Sequence, residues 1–386
     1  MPTDLLAPGS VFAGRYRIDR EIARGGMGVV YAAQHVETEQ DVALKVILGP
    51  VSASSSAMES FKLEARVAAR LDSEHVVRVL DAGVDPETEL AFLTMELLEG
   101  QTLAELLEAK GLLDPQLVAD VFRDLGRALD RAHHHKDKSG VLRPIVHRDI
   151  KPENLFLAER PGGKPCLKVL DFGLAKIVSH DGLVSGGIKG TALYMAYEQL
   201  AGLPVTPQTD VWAMGLLAFR LLTGKHYWQA ANMRPVPIVI LVAEVLQDAI
   251  EPATTRATAL GVGARVPEGF DAWFGQCVVR DLGDRFTTAR EASNGLRTLL
   301  GSPVTEMTAP RGLQAIRKQE ALEKPRATTS EEAPTVPLME LAATMRAPLV
   351  PPPTSQPPKS ASTKRLLVPL ALVALGVVLF VILRGR

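Results

Sequence analysis

Residues 146–154 read Val-His-Arg-Asp-Ile-Lys-Pro-Glu-Asn, and Asp171-Phe172-Gly173 follows farther along the chain. Two carboxylates, an amine and an amide in this arrangement suit phosphoryl transfer. That chemistry asks little covalent participation of a protein. It needs an oriented acceptor hydroxyl, positioned phosphates and neutralised charge. Asp149 can accept or orient the proton of an attacking hydroxyl, and Lys151 can stabilise the transferring phosphoryl group. Asn154 and Asp171 are oxygen ligands of the kind that hold Mg2+.

Such a site needs elements that bring ATP to it. Residues 11–50 alternate apolar and polar side chains around the turn Ala23-Arg-Gly25-Gly26-Met27-Gly28, which predicts strand, glycine turn, strand. Glycines let backbone N–H groups approach anionic oxygens. Val42-Ala43-Leu44-Lys45 follows on the next strand, where Lys45 can reach the α- and β-phosphates. A helical run from Ala57 to Leu71 carries Phe61, Val67 and Leu71 at near-helical spacing, with Glu64 placed to pair with Lys45. Strands are expected over Val76–Leu80 and Leu90–Leu97.

With these parts together, residues 15–300 resemble the bacterial Hanks-type, or eukaryotic-like, Ser/Thr protein kinases, whose motif set these are. The wording around Tyr227–Asn232 and Phe270–Phe274 is similar to myxobacterial members. The resemblance implies an α+β bilobal protein-kinase fold, with a small β-rich N-lobe, a larger helical C-lobe and ATP-Mg2+ between them. It implies that Met95 is the gatekeeper and that Glu96–Leu98 form the hinge whose backbone holds the adenine. Ile22, Val30, Ala43 and Phe156 would wall the adenine. Asp210, in Asp210-Val-Trp212, would support the catalytic loop that His147 and Arg148 begin, and Glu198 with Arg285 would form a buried ion pair. Lys151 and Thr191 resemble the Ser/Thr branch, so the partners implied are protein serines and threonines. The family also admits a homodimer through the small lobes, although no residue here commits the chain to one.

Two positions depart from the pattern. Ala23 replaces the first glycine of the loop, and Tyr197 replaces the proline before Glu198, freeing φ and adding bulk at the end of the activation segment. Lys136–Pro144 reads as an inserted surface excursion before the catalytic loop. Arg148 and Lys176 could gather a phosphate on the activation segment, and Ser179 or Ser185 is the expected site. The run His133-His134-His135 ends a predicted helix, where three adjacent side chains cannot face one ion; interaction with the helix dipole is the simpler reading.

A formal net charge of −1 over 386 residues argues against a dedicated nucleic-acid binder. Cys166 and Cys277 have no zinc or redox spacing and read as reduced cytosolic thiols. Residues 1–14 form a short lead with no signal-peptide pattern. Residues 301–365 hold 11 of the 27 prolines and no aromatic residue, so they predict a disordered juxtamembrane linker, with a short amphipathic helix at most around Leu313–Leu322. Residues 366–383 are uniformly apolar between Lys364-Arg365 and the basic tail 384–386. As a helix they would span roughly 27 Å at 1.5 Å per residue, close to the ~30 Å core of a bilayer. The expectation is a single-pass anchor in lipid of the cell inner membrane, with the kinase domain cytoplasmic. Two other readings stay open. One is a pseudokinase scaffold, against which the retained Lys45, Glu64, Asp149, Asn154 and Asp171 argue. The other is a phospho-docking protein that uses Thr308, Thr328, Thr329, Thr335 and Thr344.

Overall fold

The computed structural model describes residues 5–25, 28–48, 61, 65, 68–172 and 191–302. Gly26, Met27, Glu64, Lys176, Ser179, Ser185, the linker from residue 303 and the apolar run 366–383 lie outside them. Among the described residues no helix is long and apolar enough to cross a membrane.

Six antiparallel strands make the first sheet: β1 (Val11–Phe12), β2 (Tyr16–Gly25), β3 (Gly28–His35), β4 (Asp41–Ile47), β5 (Val79–Val84) and β6 (Ala91–Glu96), in the order β1-β2-β3-β4-β6-β5. Side chains alternate across a strand, and β4 is buried on both faces. Val42, Leu44 and Val46 join Phe12, Tyr16, Tyr31 and Phe92 in one core. Ala43 and Ile47 join Phe61, Ala65, Leu93 and Met95 in another. The same alternation puts Lys45 on the Ala43–Ile47 face.

Phe61, Ala65 and Ala68 are helical and buried, but the helix ends at Ala68, and Leu71 is buried in the turn beyond it. The next strand also starts three residues later than its apolar pattern predicts. Val76 and Val77 are buried for a different reason: they bond the strand that leads to Asp171, through a bridge from Val76 to Val169 and a Val77 N–H bond to the Val169 carbonyl. Apolar content alone does not distinguish these pairings.

The second sheet contains β7 (Gly100–Thr102), β8 (Leu155–Ala158) and β9 (Cys166–Val169), and the catalytic stretch lies just before β8. Helices build the rest of the C-lobe: α1 (Leu103–Lys110), α2 (Pro115–His133), α3 (Tyr197–Leu200), α4 (Pro207–Thr223), α5 (Ile238–Gln247), α6 (Ala253–Ala259), α7 (Phe270–Cys277) and α8 (Ala289–Leu299). Their starts are chemically marked. Thr102 with Glu105 and Thr288 with Glu291 form capping boxes, and Asp114 caps α2 ahead of Pro115. Lys136–Pro144 leaves the end of α2 as a small hairpin closed by the Lys136–Leu142 bridge, with Val141 and Leu142 half exposed.

Close approaches hold the helices in place. Gly126 of α2 lies against Ser293 of α8, whose hydroxyl donates to the Phe122 carbonyl. A Cβ on Gly215 of α4 would come within 2.6 Å of Val278 Cγ2 and 2.7 Å of Cys277 Cβ. Overpacking of this kind costs typically about 1–3 kcal/mol. Gly215→Val should lower stability by that amount in urea titrations with an unchanged slope; an unaltered midpoint would mean that α4 and α7 are not in close contact.

Candidate active site

The site is organised from α4. Every residue of this helix except Pro207, Gln208 and Arg220 is buried, Asp210 in its first turn included. Its Oδ2 accepts the His147 N–H at 2.9 Å and faces His133 Nε2 at 2.8 Å, while Oδ1 accepts the Arg148 N–H at 2.8 Å. Burial opposes charge on Asp210, but the His133 hydrogen bond, the nearby imidazoles and the Arg148 N–H outweigh it and hold the carboxyl below its usual range. Arg148 adopts φ +72°, a left-handed conformation rare for a non-glycine residue. Its N–H is held by Asp210 and its carbonyl accepts from Gln199 Nε2 at 2.9 Å, so both sides of the strained residue are fixed.

His147 joins the two halves of the site. Its ring accepts the Asp149 N–H at Nδ1, 3.2 Å away, and therefore donates through Nε2 to the Leu170 carbonyl at 2.8 Å. The ring also meets Phe172 edge-on, with centroids 4.7 Å apart. One buried imidazole thus ties the loop carrying Asp149 to the segment carrying Asp171.

The reactive groups converge around Asp149, itself buried. Asp149 Oδ2 accepts from Lys151 Nζ at 2.8 Å and from Asn154 Nδ2 at 3.0 Å, and Asn154 Nδ2 also bonds the Asp149 carbonyl at 2.8 Å. Asp149 Oδ1 is buried and has no hydrogen-bond partner among the described residues. A buried carboxylate oxygen without a donor is costly, and a substrate hydroxyl would satisfy it. Ile150, fully buried between Asp149 and Lys151, anchors the loop in the C-lobe core, and Pro152 starts the short turn that presents Asn154.

Asp171 also takes a left-handed φ, +58°. Its Oδ2 lies 2.6 Å from Lys45 Nζ. Burial raises the pKa of Asp171, but the charge and hydrogen bond of Lys45, with His147 and Lys151 farther away, hold the carboxyl below its usual range. Lys45 is therefore brought to Asp171, while Glu64, its expected partner, lies outside the described residues. The Asn154 amide spends its N–H donors on Asp149, which leaves Oδ1 as its free lone-pair atom. Together with the Asp171 carboxylate it supplies the hard oxygen donors that Mg2+ prefers.

Around this centre, Val30, Ala43, Met95 and Leu98 fall in one apolar cluster with Leu170. Phe156 is half-buried on β8 and Ile22 is exposed on β2. The side chain of Glu96 is committed elsewhere, accepting from Lys168 Nζ at 2.7 Å and from the Arg78 N–H at 2.8 Å. The glycine turn shows two kinds of need. Ala23 and Gly25 are exposed on β2, and Gly25 has open space where a Cβ would be. Gly28 does not: a Cβ there would meet the Val46 carbonyl oxygen at 2.1 Å, so close strand pairing requires this glycine.

Behind the loop, Arg285 and Glu198 are buried and paired twice, at 2.9 and 3.3 Å. Thr209 donates to Glu198 at 2.7 Å, and the Arg285 guanidinium lies 5.1 Å from the Trp212 ring centroid. Tyr197 occupies the first turn of α3, where proline would be favoured, and the Arg280 guanidinium lies 5.8 Å from its ring centroid. Thr191 begins a short turn that leads to α3. Sequence reasoning missed His133, Leu170, Lys168 and Gln199. His133 had one signal, its place in a histidine run at a helix end, but the Asp210 partner lies 77 residues away. Its ring faces Asp210, while His134 faces the Asp130 carbonyl.

The protein kinase domain family matches residues 16–294. PknL, a serine/threonine-protein kinase of Mycobacterium tuberculosis, is 33% identical over 318 residues, covering 81% of this chain and 73% of the relative. Pkn1, a serine/threonine-protein kinase of Myxococcus xanthus, is 32% identical over 322 residues, 80% of this chain and 42% of its own. The fold is similar to the crystal structure of the kinase domain of PknI from M. tuberculosis, with a TM-score of 0.56 and 24% identity over 76% of this chain and 99% of that one.

The lowered Asp171 and Asp210 carboxyls set an acid limit. Their stabilisation is complete above an unfolded carboxylate pKa of about 4 and is lost as pH falls through the folded values. In urea titrations Asp210→Asn should lose less stability than the parent between about pH 4 and pH 2. Parallel pH curves would contradict the linkage.

Proposed function

This chain belongs to the protein kinase family and is a serine/threonine protein kinase, and we propose that it transfers the γ-phosphoryl group of ATP to protein serine or threonine hydroxyls in a Mg2+-dependent reaction. The observation that carries this reading is the buried, unpaired Oδ1 of Asp149 beside Lys151 and Asn154.

In this mechanism Asp149 Oδ1 accepts the proton of the substrate hydroxyl as its oxygen forms a bond to the γ-phosphorus. The bond from that phosphorus to the β,γ-bridging oxygen breaks, and ADP leaves. Lys151 stays paired with Asp149 and offers charge to the transferring group. Lys45 turns from Asp171 to the α- and β-phosphates, and Asn154 Oδ1 with the Asp171 carboxylate would hold the cation. When bound, Mg2+ neutralises charge across the phosphates. The adenine packs among Ile22, Val30, Ala43, Met95 and Phe156, against the hinge backbone of Glu96–Leu98. The turn from Ala23 to Gly28 covers the phosphates. Glu64, outside the described residues, pairs with Lys45 and directs it, and Thr191 acts with Lys151 at the acceptor hydroxyl. Phosphorylation of Ser179 or Ser185 orders the activation segment near Arg148.

The kinase acts in bacterial signal transduction, held at the cytoplasmic face of the inner membrane by residues 366–383. Retention of Lys45, Asp149, Asn154 and Asp171 in one constellation favours this reading over a pseudokinase scaffold.

Positioned proton transfer contributes typically about 10²–10⁴-fold. Asp149→Ala should therefore lower phosphoryl transfer from labelled ATP by at least about 100-fold, with unchanged circular dichroism. Equal labelling of parent and variant would overturn the enzymatic mechanism. For the anchor, the full chain should sediment with membranes and a chain ending at Ser302 should not. Recovery of both in the soluble fraction would remove the membrane proposal.

A further inference from the structure

Helices α2 and α8 share an outer face whose positive charge the catalytic site does not use. The two run antiparallel. Arg290 pairs with Asp130, the Ser293 hydroxyl donates to the Phe122 carbonyl at 2.5 Å, and the Ser302 hydroxyl donates to Gln116 Oε1 at 3.2 Å. This register brings Arg297, one turn beyond Ser293, beside the α2 stretch that carries Arg123 and Arg127. Those two arginines are four residues apart and share one helix face.

The nearby carboxylates are already engaged. Arg123 pairs with Asp120 and holds Asp124 at 2.9 Å, and Arg160 holds Glu74 at 2.8 Å. Lys164 comes no closer to Asp120 than 3.9 Å. Arg127 is exposed and has no ion-pair partner among the described residues, although its charge acts on Glu74. Arg297 is partly buried. Burial and the charges of Arg123 and Arg127 hold its guanidinium below its usual pKa, in spite of Asp120 and Asp124. Cations gathered beyond what local carboxylates neutralise would be relieved by a multiply charged anion.

The chain itself carries a residue that can become one. Ser302 is buried, and its bond to Gln116 fixes the end of the C-lobe beside the first turn of α2. Thr308, outside the described residues, follows six positions later, with the acidic Glu306 before it. Six residues reach up to roughly 20 Å, and Gln116 to Arg127 is roughly 16 Å along the helix. Thr305, three positions after Ser302, reaches only roughly 10 Å. We propose that Thr308 is phosphorylated and that its phosphate docks between Arg127 and Arg297, laying residues 303–308 along α2. Arginine binds phosphate in a bidentate manner, and the group brings nearly two negative charges. The tether holds it at high effective concentration. The modification rests on the reaction proposed above. The Thr308 oxygen bonds to the γ-phosphorus of ATP, the bond to the β,γ-bridging oxygen breaks, ADP leaves, and the hydroxyl proton passes to Asp149 of the acting copy.

The full chain with Asp149→Ala, carrying Thr308 in phosphorylated form from translation, tests docking apart from the kinase reaction. Its phosphorus-31 resonance should titrate near pH 5 rather than at the value of about 6 of a free phosphate monoester. Arg127→Ala and Arg297→Ala should each return it towards 6, and Arg127→Lys should keep part of the change. A free-monoester titration in the chain with both arginines, or a lowered one that persists in Arg127→Ala, would overturn docking. Arg127 is exposed, so its removal leaves the fold intact. A change that grows with protein concentration would place the phosphate on a second copy and equally overturn it. In the parent chain given ATP and Mg2+, mass spectrometry should find phosphate on Thr308. Phosphate on other residues but not on Thr308 would overturn the modification. No phosphate anywhere would instead fail the reaction proposed above, while the preinstalled phosphate would still decide the docking.

Discussion

The carboxylate of Asp210 is the interaction on which the site depends. It is taken out of water on a buried helix and compensated by two consecutive backbone N–H groups and a histidine ring. Removing a carboxylate from water is costly unless its lone pairs are filled, so the folded chain has one low-energy way to place the His147–Arg148 backbone. That placement forces Arg148 into its left-handed conformation and directs Asp149 away from the C-lobe core, into which Ile150 is inserted.

From there the constraint passes through side chains. The imidazole of His147 carries it to the Leu170 carbonyl, one residue before Asp171. The Gln199 amide carries it to α3. The adjacent Glu198 is locked to Arg285. Arg285 in turn packs beneath Trp212, two residues after Asp210. The catalytic loop, the end of the activation segment and α4 therefore form a closed set of buried polar contacts. A left-handed non-glycine residue costs on the order of 1–3 kcal/mol. Both Arg148 and Asp171 persist in that state because partners on each side over-determine them.

The charge pattern has a similar logic. Lys45 and Lys151 each lie against one carboxylate, Asp171 and Asp149 respectively. These pairs keep the cations in place without filling Asp149 Oδ1. In the proposed reaction Lys151 would offer its charge from where it already lies, whereas Lys45 would exchange Asp171 for phosphate.

Much of this was legible in the chain itself. The order of Lys45, Asp149, Lys151, Asn154 and Asp171, the glycine turn and the strand pattern around Lys45 follow from local spacing and side-chain chemistry. Boundaries set by distant partners were not legible: Val76 and Val77 read as strand but pair with β9, and Gly28 read as phosphate clearance but is needed against Val46. The partners of His133, Lys168 and Gln199, and the meeting of Arg297 with Arg123 and Arg127, were decided only by the tertiary structure. Sequence by itself determined which chemical groups are present and how closely neighbours along the chain can be spaced. Which buried donor meets which acceptor across the fold depends on packing that brings residues far apart in sequence to within hydrogen-bonding distance, and no local pattern encodes it.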